Sequence, residues 1–129
     1  LRSRGLGDVY KRQGYMTQNG IVVRQGDSFD ILLQFRNADG KAINIQDWQI
    51  KMSVYDADRK VLKFSKNGEI FDVKEGKARI ELKPADTGID AGDYVTDIQV
   101  TTDQNDVHTI FPQDVNRVGV FRITEQVTR

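Results

Sequence analysis

The chain has 129 residues, no cysteine, and 19 basic against 19 acidic residues. That is one domain's worth of sequence, long enough to bury a core without staples, and disulfides and thiolate zinc sites are excluded. Four of the basic residues but only one acidic residue fall in the first thirteen positions. From Gly14 onward 15 basic therefore face 18 acidic residues, a net of −3 that offers no electrostatic footprint for nucleic acid or an anionic membrane.

No apolar run approaches the roughly 20 residues that span a bilayer, and the start lacks the apolar stretch of a signal peptide. The sequence thus reads as a soluble protein. Residues 1–13, LRSRGLGDVYKRQ, share neither period nor composition with the rest of the chain. They resemble translated sequencing-adapter read-through at the end of a metagenomic reading frame, which makes them a non-native or disordered leader with a true start at Met16 or upstream. The competing reading is a basic arm that binds phosphate or docks on a partner. Residues 14–129 are expected to form a single domain.

Ile21 to Val23 is a short apolar run, after which Gln25, Gly26 and Asp27 turn the chain. Phe29, Ile31, Leu33 and Phe35 then alternate with Asp30, Leu32, Gln34 and Arg36, the strongest strand signal in the protein. Asn37 to Lys41 carries an Asp-Gly pair suited to a tight turn. Ala42 to Asp47 links onward, with Ile43 and Ile45 available to pack. Trp48, Ile50, Met52 and Val54 share one face of the next strand, opposite Gln49, Lys51, Ser53 and Tyr55.

Asp56 to Lys60 is a polar turn, and Val61 to Phe64 returns as a partner strand. Lys66, Asn67 and Gly68 read as another turn, followed by a short strand at Ile70 to Val73 and a turn at Lys74 to Lys77. Ala78, Ile80 and Leu82 alternate with Arg79, Glu81 and Lys83. On the far side of a polar connector, Tyr94, Ile98 and Val100 are interleaved with Val95, Asp97 and Gln99.

The connector predicts a corner and not a hairpin. Pro84 has no amide hydrogen for a ladder, Asp86 and Thr87 suit a short helical turn, and Gly88 and Gly92 permit backbone angles closed to other residues. Tyr94 stands where immunoglobulin-like sandwiches keep a tyrosine at the corner between two sheets, its hydroxyl bonded to nearby backbone. Beyond Val100, Thr101 to Val107 is turn-like, His108 to Phe111 completes a hairpin, and Pro112 to Asn116 is irregular. Gly119, Phe121 and Ile123 mark the last strand. The fold class is therefore all-β, an immunoglobulin-like antiparallel sandwich of seven to nine short strands.

Few residues carry chemistry. His108 is the only histidine, so a histidine-based metal cluster is excluded and a Ser-His-Asp arrangement has one residue to pass through. Asp86, Asp90, Asp93 and Asp97, and again Asp103 and Asp106, lack the spacing of a calcium loop and read as caps, turns and solvated positions. Eleven glycines form no phosphate-cradling motif. Phe29, Phe35, Trp48, Phe64 and Phe121 fall on inward faces and read as core, leaving Tyr15, Tyr55 and Phe111 as aromatics free for other work. No catalytic residue, cofactor or metal is expected.

The order of features resembles small immunoglobulin-like proteins and N-terminal domains of tailed-phage baseplates and tail-fibre assemblies. The residues that carry the likeness are Gln25-Gly26-Asp27, Asp39-Gly40, Gly92-Asp93-Tyr94-Val95-Thr96-Asp97-Ile98, and the strand from Gly119 into Val127-Thr128. Where the family has a short turn before the last strand, this chain inserts NDVHTIFPQDVNR. The resemblance implies a non-catalytic virion protein made in the host cytoplasm. It acts as an adaptor or attachment domain of baseplate, fibre or neck. Its partners are other phage tail or baseplate proteins and further copies of itself. Gly92, Tyr94, Trp48, Phe29, Phe35 and Phe121 are then structural, and the inserted loop with His108, Phe111 and Gln113 faces a partner. The alternative is an immunoglobulin-like module of a bacterial surface protein that binds carbohydrate.

Overall fold

The computed structural model describes residues 2–5 and 14–125. Its strands are β1 (Arg2–Gly5), β2 (Tyr15–Met16), β3 (Gly20–Arg24), β4 (Phe29–Gln34), β5 (Gln49–Tyr55), β6 (Leu62–Asn67), β7 (Glu69–Asp72), β8 (Lys77–Leu82), β9 (Gly92–Thr101), β10 (Val107–Phe111) and β11 (Gly119–Thr124). One short helix, α1 (Pro84–Thr87), lies between β8 and β9. The protein is an all-β sandwich. One sheet runs β1-β4-β8-β7; the other runs β2-β3-β11-β9-β5-β6, with β10 also on β9.

The alternation in sequence becomes the two inner faces, because successive side chains on a strand point to opposite sides. Phe29, Ile31 and Leu33 of β4 and Ala78, Ile80 and Leu82 of β8 face Ile21, Val23, Ile50, Met52, Val54, Ile98, Val100, Phe121 and Ile123 of the larger sheet, all buried. Phe35 and Ile45 close one end of this core, with Trp48 half-buried against Phe35 in an edge-to-face contact, centroids 5.4 Å apart. Phe64 and Phe121 meet in the same geometry at 6.0 Å.

Four expectations are revised. The pairing is not all antiparallel, since β3 lies parallel to β11 with Ile21 beside Phe121. Lys66 and Asn67 belong to β6, and only Gly68 separates that strand from β7 in the opposite sheet. Gly88 has φ of −76°, open to any residue, whereas Gly92 has φ of +148° and does need glycine. Nine strands, β3 to β11, come after Met16, but β1 and β2 add two that periodicity did not signal. Four residues of the expected leader form β1, in register from Arg2 opposite Gln34 to Gly5 opposite Ile31. Residues 6–13 of that leader, and Val127-Thr128 of the last motif, lie outside the described residues.

The corner is built as its residues demand. Strand β8 belongs to the smaller sheet and β9 to the larger, so the chain crosses between sheets through α1. Pro84 occupies the first helical position, where no amide is missed. The Asp86 carboxylate accepts from the Lys83 amide at 2.8 Å and from Lys66 Nζ at 2.9 Å. The Tyr94 hydroxyl donates to the Asp90 carbonyl at 2.6 Å, fixing the start of β9.

Candidate interaction surface

Strand β9 is ten residues long, and its two edges are used differently. Strand β5 pairs along one edge from Gln49 opposite Thr101 to Tyr55 opposite Val95. The other edge is divided: β11 takes the first half, with Gly119 opposite Thr96, and β10 takes the second, with Val107 opposite Thr101. The loop from Pro112 to Val118 fills the break between them.

That loop and the strand leading into it contain the expected partner-facing residues, and the structure separates them. His108 and Gln113 are exposed. Phe111 is 0 % exposed and belongs to the core, which corrects its assignment to a partner-facing surface. The reason is a register shift between Thr109 and Phe111 that reverses the alternation and sends the ring inward. Gly119 makes the room, since a Cβ there would lie 3.0 Å from the Phe111 ring.

The loop is held at its base, with the Gln113 amide donating to the Gln18 carbonyl at 3.0 Å and the Val120 amide to the Asn19 carbonyl at 2.9 Å. At its tip the Asp114 carboxylate accepts from the Asn116 amide at 2.9 Å and pairs with Arg117 at 3.3 Å. The result is an ordered turn that leaves Val115 93 % exposed.

A second apolar feature lies on the outer face of the larger sheet. Register puts Val120 of β11 opposite Val95 of β9, Val95 opposite Tyr55 of β5, and Tyr55 opposite Leu62 of β6. These four form one row across four adjacent strands, with Val120 38 % and Leu62 51 % exposed and Val95 and Tyr55 half-buried. Neighbouring strands are about 4.8 Å apart, so the row is roughly 14 Å long. On one side of the row lies the rank of Arg122 and Asp93, joined by two hydrogen bonds of 2.7 and 3.1 Å. On the other lies the rank of Asp97 and Ser53, which are also opposite each other.

Charge on this face is unevenly satisfied. Arg122 holds the Asp93 carboxyl below its usual range, and Asp93 in turn raises the guanidinium. Asp97 is pushed the other way: burial raises its pKa, and the nearby positive charge of Arg59 offsets only part of the effect. Among the described residues Asp97 has no ion-pair partner within 4.0 Å, and no group of three or more His, Cys, Asp or Glu side chains is placed to hold a metal. The aspartates that crowd together in sequence are engaged separately, Asp86 at the corner and Asp93 on the sheet.

In the sequence Tyr55, Val95 and Val120 stand singly at outward positions of their strands. Only the register shows that they are neighbours. Tyr15 also stands outward, 42 % exposed on β2, but two strands separate β2 from β9.

No protein-family model matches the chain, and no curated protein matches it. Among solved structures, the crystal structure of CopC from Methylosinus trichosporium OB3b is similar, at 12 % sequence identity over 99 % of each chain and a TM-score of 0.46.

Proposed function

We propose that the chain is a non-catalytic, immunoglobulin-like virion protein of a tailed phage, an adaptor or attachment domain that works through protein–protein contacts. The fold family is supported by strand order: β4-β8-β7 matches the B-E-D order of an immunoglobulin sheet, and β11-β9-β5-β6 matches G-F-C-C′. It is supported further by Tyr94, whose hydroxyl reaches back to the Asp90 carbonyl from the start of the F-like strand, and by Trp48 just before the C-like strand.

The observation that carries the contact function is the outward row Val120, Val95, Tyr55 and Leu62, continuous across four strands of the larger sheet. An apolar centre with a charged margin is the arrangement of protein interfaces. The placement in a tail, with baseplate, fibre or neck proteins as partners and a homo-oligomer in the particle, rests on the order of the Gln-Gly-Asp, Asp-Gly and Gly-Asp-Tyr motifs along the chain.

The test is mass spectrometry on density-banded tailed particles from material that carries the coding sequence. Peptides from residues 14–129 at a fixed ratio to the major tail proteins are expected. Abundant protein in the lysate with none in the particles overturns the virion reading.

A further inference from the structure

The edge of β4 that faces away from β8 is closed by a strand that brings it little but backbone. Arg2 to Gly5 pair antiparallel with Gln34 to Ile31 in unbroken register. Residues directly opposite across a ladder share a face, so the core-side positions of β1, opposite the buried Leu33 and Ile31, hold Ser3 and Gly5. Arg2 and Arg4 take the positions between. The segment has no apolar residue and no apolar alternation, and glycine is depleted in strands. What β4 recognises in it is therefore a row of amides and carbonyls. The closure is also incomplete. Strand β8 pairs with all six residues of β4 from Phe29 to Gln34, whereas β1 pairs with four. Among the described residues, Phe29 and Asp30 have no ladder partner on that edge.

We infer that this edge is a strand-accepting site for an extended segment of another protein, which displaces β1 and completes the smaller sheet. Register specifies the segment. It has six residues and runs antiparallel to β4, with apolar, preferably β-branched side chains at the three alternate positions opposite the buried Phe29, Ile31 and Leu33. Polar residues stand between them. Such a strand makes the backbone bonds that β1 makes, continues two residues further along β4, and adds side-chain packing where β1 has serine and glycine. Strand β1 keeps its place through its tether, which gives it the roughly millimolar effective concentration of an intramolecular ligand. A partner held beside this edge has the same advantage and the better sequence. The site lies on the smaller sheet, so it is separate from the outward row of the larger one and does not depend on it.

The experiment uses the full chain and a fluorescent, end-capped peptide of three Thr-Val repeats between terminal lysines, with binding followed by anisotropy. Hydrogen exchange by NMR locates the site, and circular dichroism establishes that each variant is folded. Binding is expected, with slower exchange at whichever of the Phe29 and Asp30 amides points away from β8. Ser3→Pro combined with Arg4→Pro unseats β1, because adjacent amides point to opposite sides of a strand and one proline must replace an amide aimed at β4. The peptide should then bind about tenfold more tightly, since the competent state is no longer occupied in cis. Ser3→Val combined with Gly5→Val makes β1 a stronger competitor and should weaken binding about tenfold. No binding to the proline variant, or an affinity that neither pair of substitutions moves, overturns the inference. So does a wild type that doubles in mass without peptide and reverts with the prolines, because β1 of a second copy is then the occupant. The protein content of banded particles is independent of these outcomes, so the virion reading is tested separately.

Discussion

The hydroxyl of Thr87 donates to the carbonyl of Asp27 at 2.6 Å, joining two turns sixty residues apart. The tie is part of a clasp. The Gly26 amide donates to the Thr87 carbonyl at 3.2 Å, and Gln25 Nε2 donates to the Ile89 carbonyl at 2.9 Å. The Gln-Gly-Asp turn and the corner between β8 and β9 are therefore one unit, and Thr87 is its fully buried centre.

Thr87→Val keeps the shape and removes the donor. A buried acceptor left without its partner costs about 1–3 kcal/mol, and urea denaturation should show a loss in that range with an unchanged slope. Thr87→Ser keeps the hydroxyl and should lose less. Equal losses for the two would mean that the methyl group, not the hydrogen bond, matters here.

Tyr94 anchors the other end of the corner. Tyr94→Phe removes the bond to the Asp90 carbonyl and should cost about 1 kcal/mol. Tyr94→Ala also empties the ring's site, and a loss near 3 kcal/mol is expected, at the lower end for a large aromatic because the side chain is half-buried. Near-zero losses in both would show that the corner does not depend on this residue.

The framework of the fold was legible where one physical signal dominated. The alternation of β4, β8 and β11, the Asp39-Gly40 turn and the corner all obey local rules: period two, positive φ at Gly40, and proline at the first helical position. Three things were hidden, each because it depends on a neighbour distant in sequence. Thr96 falls on the inward face of β9 by period, but nothing local shows how a polar side chain is satisfied there: its hydroxyl donates to the Ser53 carbonyl at 2.7 Å, a partner supplied by β5. The inward turn of Phe111 depends on a bulge and on the missing Cβ of Gly119. The candidate surface is a row across strands, and a row exists only once the register does. Tyr55, Val95 and Val120 are forty and twenty-five residues apart, and singly each is an ordinary surface residue.

Gly76 gives a test of close packing in the smaller sheet's turn. Its φ is +65°, and a Cβ there would lie 2.7 Å from both the Phe35 and Ile43 carbonyl oxygens. Both obstacles are backbone, so neither can swing aside, and the Gly76 carbonyl itself accepts from the Phe35 amide at 2.8 Å. Gly76→Ala should therefore cost well over the roughly 1 kcal/mol of a left-handed residue alone. Thermal unfolding should register it as a large drop in midpoint. Gly40→Ala is the control: Gly40 has φ of +80° and open space around its Cβ position, so only the backbone penalty is expected.

Asp97 should make stability depend on pH, with a sign set by proton linkage. Burial raises its pKa in the folded chain above the usual carboxylate value of 3.8, so the native state holds the proton more tightly than the unfolded state does. The stability contributed by that tighter binding is fully present below the unfolded pKa and is lost as pH rises through the folded one. At neutral pH the charged carboxylate is therefore a liability in the isolated chain. Asp97→Asn should raise stability at pH 7, by no more than the roughly 0.5 kcal/mol usual for surface substitutions, because the group is only partly buried and solvent screens its charge. The gain should shrink as the pH is lowered toward 3.8 and below. The measurement is a pair of thermal melts at each pH, at protein concentrations low enough to keep one chain per particle. An Asn variant less stable than wild type at pH 7 would mean that the Asp97 charge is stabilised within the single chain, and Arg59, whose positive charge acts on it, would be the residue to replace next.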